Sequence, residues 1–137
     1  MQTSNKGIYI LELFAREDFQ ILAKNFIGVT FPKGYYYYIG SAQKNLKSRI
    51  ERHLKKEKIV HWHIDHLTTH NSIKIENPYI LQNAEKNVES EIANNFVEYF
   101  DAQIIVTGFG NSDTKETKTH LFYKKSSIPS NKFDIFK

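Results

Sequence analysis

Four consecutive tyrosines followed by Ile-Gly, starting at Tyr35, constrain the fold more than any other feature of the chain. Aromatic residues favour β-strands, and side chains alternate between the two faces of a strand, so each face receives two phenols. Tyr36 and Tyr38 share one face, and Tyr35 shares the other with Tyr37. We expect one pair to pack in the core while the other lines a surface. Gly40 ends the strand and lets a ligand or another chain approach the backbone.

Strand-like and helix-like segments alternate along the 137 residues. Short apolar runs bounded by turn residues predict strands over 7–14, 34–40, 72–81 (interrupted at Pro78), 103–110 and 120–125. Helical periodicity predicts helices over 45–58, 61–70 and 84–100. Their buried stripes are Leu46, Ile50 and Leu54 in the first helix, and Val88, Ile92, Phe96 and Tyr99 in the last.

The first two strands follow each other like a hairpin, which favours antiparallel pairing. The predicted fold class is therefore α+β, with a small, mainly antiparallel sheet flanked by helices. The chain length suits one domain, which we expect over residues 1–125. Residues 126–137 are expected to form a loosely attached C-terminal extension.

Composition excludes several classes of protein. The chain has no cysteine, which rules out a disulfide scaffold, an iron–sulfur cluster and cysteine-ligated zinc. The sequence has no apolar run of signal-peptide length and no stretch long enough to cross a bilayer. We therefore expect a soluble, cytoplasmic protein without a membrane partner.

The positive charge is concentrated in one segment. The net charge is +4, yet residues 44–58 hold seven Lys and Arg against two Glu, a local excess of 7 − 2 = +5. Such a patch predicts a polyanionic partner, and a solvated helix face is the alternative. The candidate nucleic-acid-binding residues are Lys44, Lys47, Arg52, Lys55 and Lys56, with His61 and His63 beyond them.

Three further residues are placed by helical geometry. Arg49 and His53, four residues apart, fall together at the edge of the first helix's apolar stripe, where that helix meets the sheet. Arg52 is expected to face further toward water. Glu89 lies beside the apolar face of the last helix, where a carboxylate needs an arginine, a hydrogen-bond donor or a hard divalent cation. Glu85 and Glu91 are alternatives for this position, and an ordinary pairing with a lysine is the competing explanation.

These residues together resemble a known family. Gly7-Ile8-Tyr9, Tyr38-Ile39-Gly40, the R-I-x-x-H helix and a later helical Glu resemble the GIY-YIG endonuclease superfamily. The longer runs GYYYYIGSAQKNLKSRIERHLKK, HWHID, ESEIA and GFGNSD are similar to one branch of small, functionally uncharacterised proteins, some of them fused to endonuclease III-type DNA repair enzymes. The resemblance covers about residues 6–124. The 28 residues between the two name-giving motifs (10–37) exceed the short hairpin of the classical nucleases.

The resemblance implies a role for each matching residue. Tyr9 would activate or orient the attacking water, and Tyr38 would donate a hydrogen bond or relay a proton beside the scissile phosphate. Arg49 would stabilise the charge of the transition state, and His53 would carry a second proton. Glu89 would be the sole protein ligand of one Mg²⁺ or Mn²⁺ ion, which would stabilise the leaving 3′ oxygen.

The implied function is metal-dependent hydrolysis of DNA phosphodiester bonds, with nucleic acid, first of all DNA, as the partner. The alternative is a non-catalytic DNA- or RNA-binding module on the same fold. A third option is a zinc site on His61, His63 and Asp65, which would share one helical segment. Asp113 and His120 match the branch pattern as secondary candidates beside the same cleft.

Overall fold

The computed structural model describes residues 5–110 and 119–133, and it confirms the predicted α+β class. Within these residues the strands are β1 (Gly7–Ala15), β2 (Gly34–Ala42), β3 (Ile73–Gln82) and β4 (Leu121–Lys124). The α-helices are α1 (Leu46–Leu54), α2 (Asp65–Thr68) and α3 (Val88–Glu98). Short 3₁₀ turns lie at Lys24–Phe26 and Ser130–Phe133.

The four strands form one antiparallel sheet in the order β3-β1-β2-β4. The hairpin-like pairing of β1 with β2 sets Tyr9 directly opposite Gly40. Strand β4 is short and pairs only with Tyr35–Tyr38 of β2. One further hydrogen bond, from the Ile39 N–H to the His120 carbonyl, closes this ladder at 2.9 Å. The end of β2 beyond Ile39 therefore has a strand neighbour on one side only among the described residues.

Both faces of the sheet are covered, so the prediction that one tyrosine pair lines a surface is wrong. The face that carries Tyr36 and Tyr38, here the first face, packs under α1, α2 and residues 19–31. The face that carries Tyr37, the second face, packs under α3 and the C-terminal segment. Tyr36 and Tyr37 are both fully buried, although they point in opposite directions. The alternation was predicted correctly, but the cover over both faces leaves neither tyrosine pair on an open surface.

Several predicted elements differ from the structure. The helix predicted over 61–70 is α-helical only in α2 (Asp65–Thr68), and the helix predicted over 84–100 is confined to α3 (Val88–Glu98). Residues 103–110 do not form a strand: β4 occupies the free edge of β2, and only Gln103 pairs with β4, through an isolated bridge to Tyr123. Helix α1 ends at Leu54, which is 41% exposed instead of buried. Strand β3 continues through Pro78, because β3 lies at the sheet edge, where a residue without an N–H is tolerated. Tyr99 is also exposed, just beyond α3.

The C-terminal segment is not loosely attached over its described part. Ile128 and Phe133 are buried on the second face, and the Phe133 ring lies 4.4 Å from the Tyr79 ring between centroids. The Ile128 N–H donates a 2.7 Å hydrogen bond to the Tyr37 hydroxyl. That hydroxyl in turn donates to Glu12 Oε2 at 2.8 Å, and Glu12 is itself buried. A buried polar chain therefore joins the segment to the centre of the sheet.

Tyr37→Phe is expected to lower the free energy of unfolding by about 2–3 kcal/mol, because it leaves the Ile128 N–H and the Glu12 carboxylate each short of a buried partner. Tyr35→Phe is the matched control, since among the described residues the Tyr35 hydroxyl makes no hydrogen bond. Urea unfolding curves measure both. Equal stability of the two variants would show that these buried hydrogen bonds do not stabilise the fold.

Candidate active site

The residues singled out by the sequence meet in one cavity of about 380 Å³. All five predicted catalytic side chains line this cavity: Tyr9, Tyr38, Arg49, His53 and Glu89. Its wall also contains Trp62, Lys86, His120 and two glycines. Trp62 and Lys86 were not predicted as parts of a site, because an aromatic residue between histidines and a lysine on a polar helix start carry no distinguishing pattern.

The cavity lies at the end of the sheet where β4 begins. Tyr9 and Tyr38 belong to the first face, whereas Glu89 lies in the first turn of α3, which packs on the second face. Side chains from opposite faces can meet here because β2 extends beyond the last residue that β4 pairs. The predicted carboxylate and the predicted phenols therefore face the same space.

Two glycines make room for the two tyrosine rings. A Cβ atom on Gly40 would collide with the Tyr9 ring, which lies over it from the neighbouring strand. A Cβ atom on Gly110 would lie 2.7 Å from the Tyr38 ring, and Gly110 also has a positive φ of 75°. A glycine is therefore required at position 40, because the Tyr9 ring of β1 packs directly over it.

Tyr9 and His53 form a buried hydrogen-bonded pair. The Tyr9 hydroxyl lies 2.8 Å from His53 Nε2, and His53 is only 1% exposed. Burial, helped by the nearby Lys58, lowers the pKa of His53 to about 4, so the imidazole is neutral at pH 7. Burial raises the pKa of Tyr9 above its usual range, although the Arg49 guanidinium opposes this rise. The pKa of Tyr38 is raised by burial in the same way, so both phenols keep their protons in the free protein.

Stability is expected to fall as His53 is forced to accept a proton. The unfolded chain protonates this residue below its ordinary pKa of 6.5, whereas the folded protein does so only near 4. The free energy of unfolding should therefore decrease by up to about 3 kcal/mol between pH 6.5 and pH 4 through this residue alone. His53→Gln should remove this contribution and flatten the curve of stability against pH. Chemical denaturation across this pH range measures both proteins, and parallel curves would contradict the buried neutral state.

Arg49 supplies positive charge to the cavity. Its Nη1 donates a 3.1 Å hydrogen bond to the Ser41 carbonyl at the end of β2, and its Cζ lies 5.0 Å from the centroid of the Trp62 ring. No carboxylate in the part of the chain that the structure describes forms an ion pair with Arg49. Its charge therefore remains available to an anion in the cavity, as the seam position on α1 predicted.

Glu89 is the only one of the three candidate glutamates that lines the cavity. It is 7% exposed, whereas Glu85 is exposed and pairs with Lys6, and Glu91 is also exposed. Glu89 Oε2 lies 3.9 Å from Nδ1 of His120, a buried residue immediately before β4. The secondary candidate His120 thus borders the site. Asp113 lies outside the described residues.

The candidate nucleic-acid-binding residues divide into two groups. Lys44, Lys47, Lys55 and His61 are exposed. The other three bind the protein itself. Arg52 is paired with Asp65, although its side chain stays 30% exposed as its predicted direction toward water implies. The Lys56 ammonium donates to the carbonyls of His70 and Ile73, and His63 Nδ1 accepts the Gly110 N–H. Arg52 also borders, with Lys44 and Arg49, an open groove beside the cavity.

The geometry predicted for a zinc site is absent. Helix α2 begins at Asp65, so His61 and His63 precede it and do not share a helical face with that carboxylate. Asp65 accepts hydrogen bonds from Arg52 and from two backbone N–H groups. Within residues 5–110 and 119–133, no group of three or more His, Asp or Glu residues is arranged to hold a metal ion. Asp65 and His63 thus bind groups of the protein itself, whereas the His61 side chain is exposed.

Fold and cavity together define a small α+β domain with a polar, tyrosine-lined cavity at the end of an antiparallel sheet. The model of one family, described as Domain of unknown function DUF123, matches residues 8–135, and the chain belongs to that family. No curated protein and no solved structure matches the chain significantly. Across the described residues, no helix has the length and apolar character needed to cross a membrane.

Proposed function

We propose that the protein is a metal-dependent endonuclease of the GIY-YIG type that hydrolyses phosphodiester bonds in DNA. The observation that carries this proposal is the convergence of two phenols, a guanidinium, an imidazole and a carboxylate on one cavity. Phosphodiester hydrolysis depends mainly on charge neutralisation and in-line positioning, and these five groups supply both. The resemblance of the GIY and YIG motifs supports the same conclusion.

The charge state of each side chain in the cavity determines the role that we assign to it. Arg49 binds and neutralises the phosphate oxygens, because it carries a positive charge that no described carboxylate cancels. Tyr38, protonated, donates a hydrogen bond to the phosphate. Tyr9 orients the attacking water, and His53 Nε2, 2.8 Å from the Tyr9 hydroxyl, accepts the proton that this hydroxyl passes on. A bound phosphate favours that transfer, because its negative charge raises the proton affinity of the imidazole.

The carboxylate of Glu89 fits a hard divalent ion better than a closed zinc site. Among the described residues it is the one carboxylate that lines the cavity, it is buried, and the cavity has room for water and a phosphate group. Mg²⁺ and Mn²⁺ commonly bind through one or two carboxylates, with water and phosphate oxygens as the other ligands. Glu89 would hold the ion, which would supply charge stabilisation at the leaving 3′ oxygen.

The surroundings of the cavity suit a nucleic-acid strand. An open groove of about 570 Å³ adjoins it, and the groove and the cavity share Gln43 and Arg49. Exposed Lys44 borders the groove, and exposed Lys47 lies on α1, the helix that carries Arg49. A strand lying in the groove would place one backbone phosphate at Arg49 and leave its neighbour near Lys44.

A cytoplasmic location remains part of this proposal.

The test is a nicking assay on supercoiled plasmid with Mg²⁺ or Mn²⁺, with EDTA as the negative control. We expect conversion to the open-circular form by the parent protein, and a loss of rate of about a hundredfold for Tyr9→Phe. Oligonucleotides of single-stranded DNA, duplex DNA and RNA then define the substrate. Equal rates for the parent and Tyr9→Phe would assign the cleavage to a contaminant.

The second candidate function is a binding module without catalysis. The exposed lysines on and beside α1 favour it, because they provide phosphate contacts that require no assembled site. It predicts affinity for DNA or RNA that falls steeply as salt rises, without turnover at any metal concentration. Fluorescence anisotropy with labelled oligonucleotides, run beside the nicking assay, distinguishes the two functions.

A further inference from the structure

A buried carboxylate fixes the segment that follows α1. Asp65 is fully buried, and its two oxygens accept hydrogen bonds from both terminal nitrogens of Arg52, at 3.0 and 2.9 Å. Oδ2 also accepts the backbone N–H groups of His61 at 2.8 Å and of Trp62 at 2.9 Å. Burial alone would raise the pKa of Asp65, but these hydrogen bonds hold it below its usual value. The charged carboxylate therefore holds Arg52 and the backbone of Trp62 together.

The Trp62 ring connects this carboxylate to the cavity. The Arg52 Cζ lies 4.5 Å from the ring centroid, and the Arg49 Cζ lies 5.0 Å from it. Guanidinium groups over an indole ring are attracted by its π-electrons, most strongly where water is excluded. Asp65 neutralises Arg52, whereas no described carboxylate pairs with Arg49. Of the two arginines that contact the ring, only Arg49 keeps an unneutralised charge facing the cavity.

We propose that Asp65, Arg52 and Trp62 form an arginine clamp that positions the Arg49 guanidinium in the cavity, an inference that rests on the proposed function of Arg49. An arginine side chain has many rotamers, and holding it in one of them before substrate binds removes an entropic cost from the reaction. The Ser41 carbonyl fixes one nitrogen of Arg49, and the Trp62 ring fixes the plane of the group. Trp62 is therefore a positioning residue, and Arg49 is the residue that touches the phosphate.

The first test needs no nucleic acid, because Trp62 is the only tryptophan of the chain and its fluorescence reports on the clamp directly. Arg52→Lys and Asp65→Asn are expected to shift the emission maximum to longer wavelength and to increase quenching by acrylamide. Lys55→Ala, an exposed charge on the same segment, should change neither. Thermal unfolding shows that the variants are folded. Unchanged fluorescence in folded Arg52→Lys would overturn the clamp whatever the enzyme does.

The second test is kinetic and uses Trp62→Leu and Trp62→Phe, each made in the parent and in the Arg49→Ala background. In the parent, Trp62→Leu should lower kcat by about three- to thirtyfold with little change in KM, and Trp62→Phe should restore most of the rate. In the Arg49→Ala background, Trp62→Leu should cause no further loss. An equal loss of kcat in both backgrounds, or a change confined to KM, would overturn the clamp. Either result would indicate that the Trp62 ring stacks on a nucleic-acid base instead.

The two tests separate failure of the clamp from failure of the proposed function. A parent protein without any cleavage would refute the endonuclease, and the fluorescence of Arg52→Lys and Asp65→Asn would still decide whether Trp62 depends on the salt bridge. Cleavage by the parent with additive effects of Trp62→Leu and Arg49→Ala would keep the endonuclease and refute the clamp.

Discussion

Glu89→Gln is expected to reduce metal-dependent cleavage by about a thousandfold or more. The amide has nearly the shape of the carboxylate but no negative charge, so it binds a hard divalent ion far more weakly. The change leaves the packing of α3 intact, because Ile92 and Phe96 carry the burial of that helix. Initial rates of plasmid nicking, measured over a series of Mg²⁺ concentrations, give the size of the effect.

The chain offers two matched controls for this variant. Glu91→Gln changes an exposed glutamate of the same helix, and Glu85→Gln changes the exposed partner of Lys6 one turn earlier. Both should cleave at the parent rate. Calorimetric titration with Mn²⁺ in the absence of nucleic acid should show binding to the parent and to both controls, but not to Glu89→Gln. Full activity of Glu89→Gln, or its loss in a control, would show that the metal ligand is elsewhere.

Arg49→Ala is expected to lower kcat by about a hundred- to a thousandfold, the usual cost of removing one electrostatic stabiliser of a transition state. Arg49→Lys should recover only a part of the rate, because an ammonium keeps the charge but not the two-pronged geometry of the guanidinium. Lys47→Ala is the control, since it removes an exposed charge from the same helix. If general charge attraction were the only role of Arg49, Lys47→Ala would lose as much.

The effect of Arg49 is expected in turnover more than in binding. Several exposed lysines also contact phosphates in the proposed complex, so one arginine contributes a small share of the salt-dependent affinity. Anisotropy titrations at two salt concentrations therefore should give similar dissociation constants for Arg49→Ala and the parent. A large loss of affinity with unchanged kcat would favour the binding module.

Local patterns predicted the parts of the site that depend on one element or one hairpin. The alternation of the four tyrosines gave their faces, and the hairpin-like start gave the antiparallel pairing of β1 with β2. The register that sets Tyr9 opposite Gly40 came only from the structure. Helical spacing placed Arg49 and His53 on the side of α1 that faces the sheet. Glu89 stood out because a carboxylate beside an apolar stripe needs a partner.

Competition between segments explains what the sequence could not predict. Residues 103–110 have the composition of a strand, but β2 has only one edge left after pairing with β1, and β4 occupies it. A sequence does not show which of two suitable segments wins a single edge. Leu54 was expected in the core, yet His53 is buried instead, because its hydrogen bond to Tyr9 satisfies one ring nitrogen there.

Widely spaced contacts were missed for a different reason. Ile128 and Phe133 do not repeat with the period of a helix or a strand, although both are buried under the second face. The pairing of Arg52 with Asp65 joins residues of two separate segments, and the basic run alone favoured a solvent-facing arginine. Such contacts depend on the three-dimensional path of the chain, which local propensity does not specify.

Because side chains from opposite faces meet in the cavity, the proposed cleavage activity depends on the C-terminal segment. Tyr9 and Arg49 reach the cavity from β1 and α1, whereas Glu89 lines it only when α3 is docked on the second face. That docking involves Phe133, whose ring centroid lies 6.2 Å from that of Phe96. We therefore expect a variant truncated after residue 125 not to cleave nucleic acids, because α3 would lose its contact with Phe133 and Glu89 would no longer be held at the cavity. Cleavage by that truncated chain would refute this dependence.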